Sequence, residues 1–144
     1  PRDPGPPAPS QEAEAIGAGL RILAAEDEPT NALLVQTLLE WSGCAAMEVV
    51  ADGRAALAAW RRMGPDLVLL DVQMPEMDGY ETIQAIRAEE AAAGAAPVPI
   101  AVLTAHALEE VEAACYEAGC DAYLTKPVRW QAVRDLLAWV RQPR

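Results

Sequence analysis

Apolar residues are distributed along the chain in two alternating rhythms. Short, nearly unbroken apolar runs occupy Leu20 to Ala25, Leu67 to Leu70, Val98 to Leu103 across Pro99, and Ala122 to Leu124, with Ala45 to Val50 as a weaker fifth. Between them the apolar positions are spaced like a helix face: Leu34, Leu38 and Trp41; Ala56, Trp60 and Met63; Tyr80, Ile83 and Ile86; Ala107, Val111, Ala114 and Ala118; Trp130, Val133, Leu137 and Val140. Runs bounded by turn residues predict five strands, and the i, i+3, i+4 and i+7 recurrences predict five helices. Strict alternation of the two demands parallel pairing through right-handed crossovers, and unbroken apolar strands are those covered on both faces. The predicted class is α/β: a doubly wound, five-stranded parallel sheet of the flavodoxin-like type, in a single domain.

Two segments break the rhythm. Residues 1–19 carry Pro1, Pro4, Pro6, Pro7 and Pro9 together with Gly5, Gly17 and Gly19. That composition buries too little surface to offset the entropy of ordering, which predicts a flexible Pro/Gly/Ala-rich tail or linker and places the folded domain at 20–144. Glu89 to Pro97 is rich in alanine and poor in pattern; it reads as a mobile loop, with continuation of the preceding helix to Gly94 as the alternative.

A chain of 144 residues suits one ordinary domain. Hydrophobic residues make up 52% and charged residues 23%, the balance of a soluble globular protein, and no apolar run approaches the roughly 18 residues that cross a bilayer. The 22 acidic and 11 basic side chains give a net charge of −11, which argues against direct contact with nucleic acid or an anionic membrane. The chain opens on Pro1 with no signal-peptide pattern, as a piece of a longer cytoplasmic protein would. Cys44, Cys115 and Cys120 form neither a CxxC pair nor an even set; they predict no disulfide framework and no zinc site, but small apolar fillers in a reducing compartment. The four tryptophans sit at helical spacing and read as core packing.

In an open parallel sheet the ligand crevice lies outside the carboxyl ends of the strands. The residues at those ends are Glu26 and Asp27, Asp71, Thr104 and Lys126. Converging carboxylates repel by about 4 kcal/mol per close pair at an effective dielectric near 20, so a cation is needed. A hard divalent ion with few carboxylates and room for water and phosphate points to Mg²⁺ rather than a calcium cage. The remaining parts suit phosphoryl transfer: Asp71 as nucleophile, Lys126 as a balancing charge, and the Thr104 hydroxyl as a hydrogen-bond donor to a phosphoryl oxygen.

Glu26-Asp27 with Pro29 and Asn31, the stretch from Asp71 through Gln73, Met74 and Pro75 to Asp78-Gly79, Thr104-Ala105, and Tyr123-Leu124-Thr125-Lys126-Pro127 together resemble the receiver domain of two-component signalling, from about Leu20 to Arg141. The resemblance implies that Asp71 is the phosphorylation site. It implies that Asp27 and Asp71 bind Mg²⁺ directly, that Glu26 acts mostly through water, and that Gln73 lends its backbone carbonyl. It also implies a cis Lys126–Pro127 peptide, which costs an X-Pro bond only about 0.5–1 kcal/mol. Thr104 and Tyr123 fall at the switch positions, whose movement alters a surface made of the fourth helix, fifth strand and fifth helix. Two departures from the family pattern are Glu26, where Asp is also common, and the alanine-rich interval between Asp71 and Thr104.

The resemblance further implies a phosphohistidine donor, either a histidine kinase or a histidine phosphotransfer protein, and a downstream protein that reads the altered surface; it leaves dimerisation open. The domain itself is not a turnover enzyme. The Thr104-Ala105-His106-Ala107 stretch, the run from Cys115 to Lys126 and the proline-rich lead-in favour the receiver of a hybrid sensor histidine kinase, in a bacterial cytoplasm, over a stand-alone regulator. His106, the one histidine, is expected at the pocket mouth, where it modulates water access or is simply a surface residue. One rival reading is a degenerate receiver used for docking alone, which the full set of charged parts disfavours. The other is an aspartyl-phosphate phosphatase, which needs a second acid where this chain has Gln73.

Overall fold

Successive residues of a strand point to opposite faces of a sheet, and the central runs of this chain are apolar at both sets of positions. The computed structural model, which describes residues 15–105 and 109–142, accordingly buries them on two sides. Strands β1 (Arg21–Ala25), β2 (Ala46–Val50), β3 (Leu67–Asp71), β4 (Ile100–Thr104) and β5 (Ala122–Thr125) alternate with helices α1 (Pro29–Trp41), α2 (Gly53–Met63), α3 (Gly79–Ala93), α4 (Glu109–Ala118) and α5 (Trp130–Arg141). The strands pair in parallel in the order β2-β1-β3-β4-β5. This is the doubly wound α/β sheet that the alternation predicts.

Leu23, Ala25, Val68, Leu70, Ile100 and Val102 meet α2, α3 and α4 on one face. Ile22, Ala24, Leu67, Leu69, Ala101 and Leu103 meet α1 and α5 on the other. At about 1.5–3 kcal/mol for each buried Leu, Ile or Val, these two layers supply the main drive for folding. All four tryptophans rest against these clusters, and Trp41 meets Trp130 edge-on with ring centroids 6.2 Å apart. Burial pushes the Cys120 thiol up to about 12 and raises Cys115 as well, so both are protonated apolar fillers at neutral pH.

The differences from the sequence expectation have local causes. In α4 the fully buried position is Cys115, one residue beyond the expected Ala114, and Ala107 lies outside the described residues. Strand β4 starts at Ile100 rather than Val98, because Pro99 has no N–H to donate and the Val98 N–H is taken by the Glu90 carboxylate at 2.7 Å. Of the stretch from Glu89 to Pro97, the helical alternative holds as far as Gly94: α3 continues to Ala93 and stops at Gly94, whose φ of 66° closes the helix in the left-handed conformation, and residues 95–97 form an irregular connection. Glu90 explains the continuation. Buried in α3, it accepts from Arg87 Nη1 at 2.7 Å. Arg87 in turn reaches the Gly119 carbonyl at 3.0 Å and Asp121 at 3.1 Å, tying the end of α3 to the turn before β5.

Of the expected tail, residues 1–14 lie outside the described residues, whereas Ala15–Gly17 form a 3₁₀ turn and Ile16 and Leu20 pack against the α1–α5 layer. The chain runs from β1 out to the edge strand β2, then crosses back to place β3 on the other side of β1. Connections therefore diverge between β1 and β3, which opens a crevice at their carboxyl ends.

Replacing Glu90 by Ala would strip the Val98 N–H and Arg87 of their shared acceptor. The expected cost is about 2–3 kcal/mol, read as a lower urea midpoint at unchanged slope. A loss under about 0.5 kcal/mol, the range of an ordinary surface change, would mean the network holds nothing together.

Candidate functional site

Each strand that borders the crevice delivers one or two polar residues where its apolar run ends. Glu26 and Asp27 follow β1, Asp71 is the last residue of β3, Thr104 the last of β4, and Lys126 follows β5. Parallel register brings the ends level: Thr104 is paired with Thr125, the Lys126 N–H donates to the Thr104 carbonyl at 2.8 Å, and the Glu26 N–H donates to the Val50 carbonyl at 2.9 Å. The helix that follows β3 must start close by. A Cβ at Gly79 would sit 2.5 Å from the Asp71 carbonyl oxygen, so only glycine lets α3 begin there, and its N–H donates to the Val72 carbonyl at 2.9 Å. Asp78 and Glu81 cap that start reciprocally.

Glu26, Asp27 and Asp71 offer carboxylate oxygens that lie within 4.8 Å of one another. Glu26 is 2% exposed and Asp71 4%, while Asp27 faces solvent. The Lys126 ammonium enters this cluster, 3.0 Å from Asp71 Oδ2 and 3.1 Å from Glu26 Oε1. Asp71 Oδ1 accepts from the Gln73 N–H at 3.2 Å, and Glu26 Oε2 accepts from the Glu28 N–H at 3.1 Å. Glu26 Oε1 is buried and, beyond its ion pair with Lys126, has no hydrogen bond among the described residues.

Electrostatics follow from this geometry. Burial raises the Glu26 carboxyl above its usual value, and the neighbouring Asp71 carboxylate adds to that; the Glu28 N–H and Lys126 offset it only in part. Burial pulls Lys126 down, but its pairing with the Asp71 and Glu26 carboxylates outweighs the loss and leaves it raised. The ammonium is therefore held charged between two carboxylates.

The residues that the sequence singles out divide into two groups. Glu26, Asp27, Asp71, Gln73, Thr104 and Lys126 line one open cleft of about 960 Å³. Tyr123 does not border that cleft; it is half-buried on β5, packs on the α2–α4 layer, and meets Tyr116 of α4 edge-on at 6.5 Å. His106 lies outside the described residues. The Lys126–Pro127 peptide is cis. Sequence reading missed Glu28 and named Asp78 only as part of the family motif, without a role; both also line the cleft. Glu28 Oε1 caps α1 by accepting from the Asn31 N–H at 2.8 Å; the Pro29 that follows it was the available signal of a helix start.

The donor set is oxygen only, concentrated at one point, open to water through Asp27, and it includes a buried oxygen short of partners. Such a set fits a small hard divalent cation.

Comparison with known proteins bears on the same residues. The model of the response regulator receiver domain family matches residues 22–138. The sensor protein GacS of Pseudomonas syringae is 46% identical over 120 residues, a match covering 83% of this chain and 13% of GacS. The peroxide stress-activated histidine kinase mak1 of Schizosaccharomyces pombe is 38% identical over 126 residues, covering 85% of this chain and 8% of mak1. The chain thus spans a small fraction of these relatives, which are eukaryotic as well as bacterial. Among solved structures, the receiver domain of the sensor histidine kinase PA1611 from Pseudomonas aeruginosa, with a magnesium ion in its active-site cleft, superposes with a TM-score of 0.76 at 36% identity, covering 87% of this chain and 100% of that one. The receiver domain of Saccharomyces cerevisiae Ssk1, solved with the histidine phosphotransfer protein Ypd1, gives 0.75 at 29% identity, covering 80% and 83%. With its fold, its acidic crevice and a family match spanning most of its length, the chain belongs to the response regulator receiver domain family.

Proposed function

We propose that this domain is the phosphoacceptor switch of a phosphorelay and that Asp71 carries the phosphoryl group. The observation that carries this reading is the Lys126 ammonium lodged between Asp71 and Glu26 within an otherwise acidic crevice. Asp71 Oδ2 is the nucleophile: it forms a bond to the phosphorus of a phosphohistidine as the phosphorus–nitrogen bond breaks, and the electron pair returns to the imidazole. Lys126 stabilises charge on the transferred oxygens, a donor already fixed in a partly buried cleft, and the Thr104 hydroxyl donates to one of those oxygens once it has moved in. Asp27, Asp71, the Gln73 carbonyl and, through water, Glu26 would hold Mg²⁺. When bound, that ion supplies charge neutralisation for the phosphoryl oxygens.

The donor is a histidine kinase or a histidine phosphotransfer protein, and the domain is the cytoplasmic receiver of a hybrid sensor kinase. The domain takes no direct part in nucleic-acid or membrane binding. A phosphatase reading would need an acid or base two residues beyond Asp71, where the neutral Gln73 stands. Downstream, Thr104 moves toward the phosphoryl group and Tyr123 follows it, shifting the α4–β5–α5 surface between two packings.

Incubation with a small phosphodonor and Mg²⁺ is expected to give wild-type protein an alkali-labile phosphate adduct by intact mass, and Asp71→Asn none. An adduct of equal yield on the Asn variant, or none on wild type from any phosphohistidine donor tried, would refute the assignment.

Lys126→Met removes a positive charge from beside the carboxylates. Calorimetric titration should show Mg²⁺ binding tighter by about tenfold, the effect of roughly 1.4 kcal/mol of relieved repulsion; equal or weaker binding would place the ammonium outside the cation's field.

Tyr123→Ala should leave adduct formation intact and abolish the phosphorylation-dependent change in amide exchange over α4. If that change persists at wild-type size, Tyr123 is not part of the switch.

A further inference from the structure

The chain entering the domain is held at the end of the sheet remote from Asp71. The Gly17 N–H donates to the Ser42 carbonyl at 2.8 Å, and the Gly17 carbonyl accepts from the Leu20 N–H at 3.0 Å. Ser42 closes α1 and is fully buried, its hydroxyl already donating to the Leu39 carbonyl at 2.6 Å. A Cβ on residue 17 would lie 2.5 Å from Ser42 Oγ and 2.8 Å from its carbonyl oxygen, so the seat accepts glycine and nothing larger.

From the other side, Arg141 in the last turn of α5 donates from Nη1 to the Ala18 carbonyl at 2.6 Å. Ile16 and Leu20 rest on the same apolar layer as Trp139 and Val140 of α5. An aliphatic anchor on each side of a close-fitting glycine and a charged hydrogen bond across 123 positions make a defined attachment rather than a loose lead-in.

The opposite end of α5 begins beside the crevice. Lys126, paired with Glu26 and Asp71, stands only a few residues before Trp130, the first residue of α5. Val128 between them is buried in the α1–α5 layer. With 12 residues, α5 is a rod of about 18 Å, and a displacement at its first turn is carried to its last.

We propose that Ile16–Leu20 is a clasp joining the connector that leads into the domain to α5, so that a movement of α5 set off at Lys126 is delivered to the chain preceding the domain. The trigger rests on the phosphoacceptor reading; the clasp does not.

Amide hydrogen exchange on the full 144-residue chain separates the two. Without any donor, Gly17→Val should speed exchange at least about tenfold in both the 15–20 segment and the last turn of α5, and Arg141→Ala should do so in the 15–20 segment. Peptides around Asp71 should keep their wild-type rates. With beryllofluoride and Mg²⁺, wild type should change exchange in the crevice, in α5 and in the 15–20 segment, whereas in Arg141→Ala the change should stop within α5.

Unaltered exchange of the 15–20 segment in Arg141→Ala overturns the clasp. A crevice that responds in wild type while the 15–20 segment does not overturns delivery. A crevice that ignores beryllofluoride overturns the phosphoacceptor reading and the trigger with it, while the donor-free comparison still decides the clasp.

Discussion

The Lys126 ammonium, 3.0 Å from Asp71 and 3.1 Å from Glu26, is the contact on which the crevice depends. Two buried carboxylates at the ends of adjacent strands would repel each other in a site where water screens them poorly, and the sheet would resist closing there. The strand order makes the conflict unavoidable, because the divergence between β1 and β3 is also where both acids emerge. Bringing Lys126 in from the far edge of the sheet relieves the repulsion, and it couples β5 to β1 across the intervening strands. A cation that any added divalent ion or phosphoryl group must rearrange is thereby built into the fold's own stability.

Much of this was legible in the sequence, for identifiable reasons. Strands buried on both faces print their apolar runs directly, so β1, β3 and β4 stand out, while β2 and β5 at the edges are only half-buried and their runs are weaker or shorter. Glu26, Asp27, Asp71, Thr104 and Lys126 were legible because each follows an apolar run, and the class of sheet then fixes where strand ends converge. What the pattern did not carry is tertiary compensation. Helix α3 outlasts its apolar pattern because Glu90 finds Arg87 and the Val98 N–H, partners that no periodicity announces. The turn at Ala15–Gly17 was not legible for a similar reason: the seat of Gly17 against Ser42 exists only once α1 and β1 are side by side. A proline- and glycine-rich stretch is read as loose by composition, whereas a single glycine in it is there because nothing else fits.

The two ends of the sheet are built on opposite principles. At the carboxyl end, polar groups converge with charge left to balance, an open cleft admits solvent, and Glu26 keeps a buried oxygen short of partners. At the other end, polar groups are satisfied: Glu90 accepts at both oxygens, Arg87 donates to three separate groups, and Ser42 both donates and accepts. A switch requires this asymmetry. If both ends were equally adaptable, a change of charge at Asp71 would dissipate into local adjustments; with one end fixed, the helices between them act as levers about a firm base. Helix α5 spans that interval, starting just after Lys126 and ending on the carbonyl of Ala18. In the proposed coupling, that position makes it the element through which electrostatics at one end of the sheet acquires a mechanical consequence at the other.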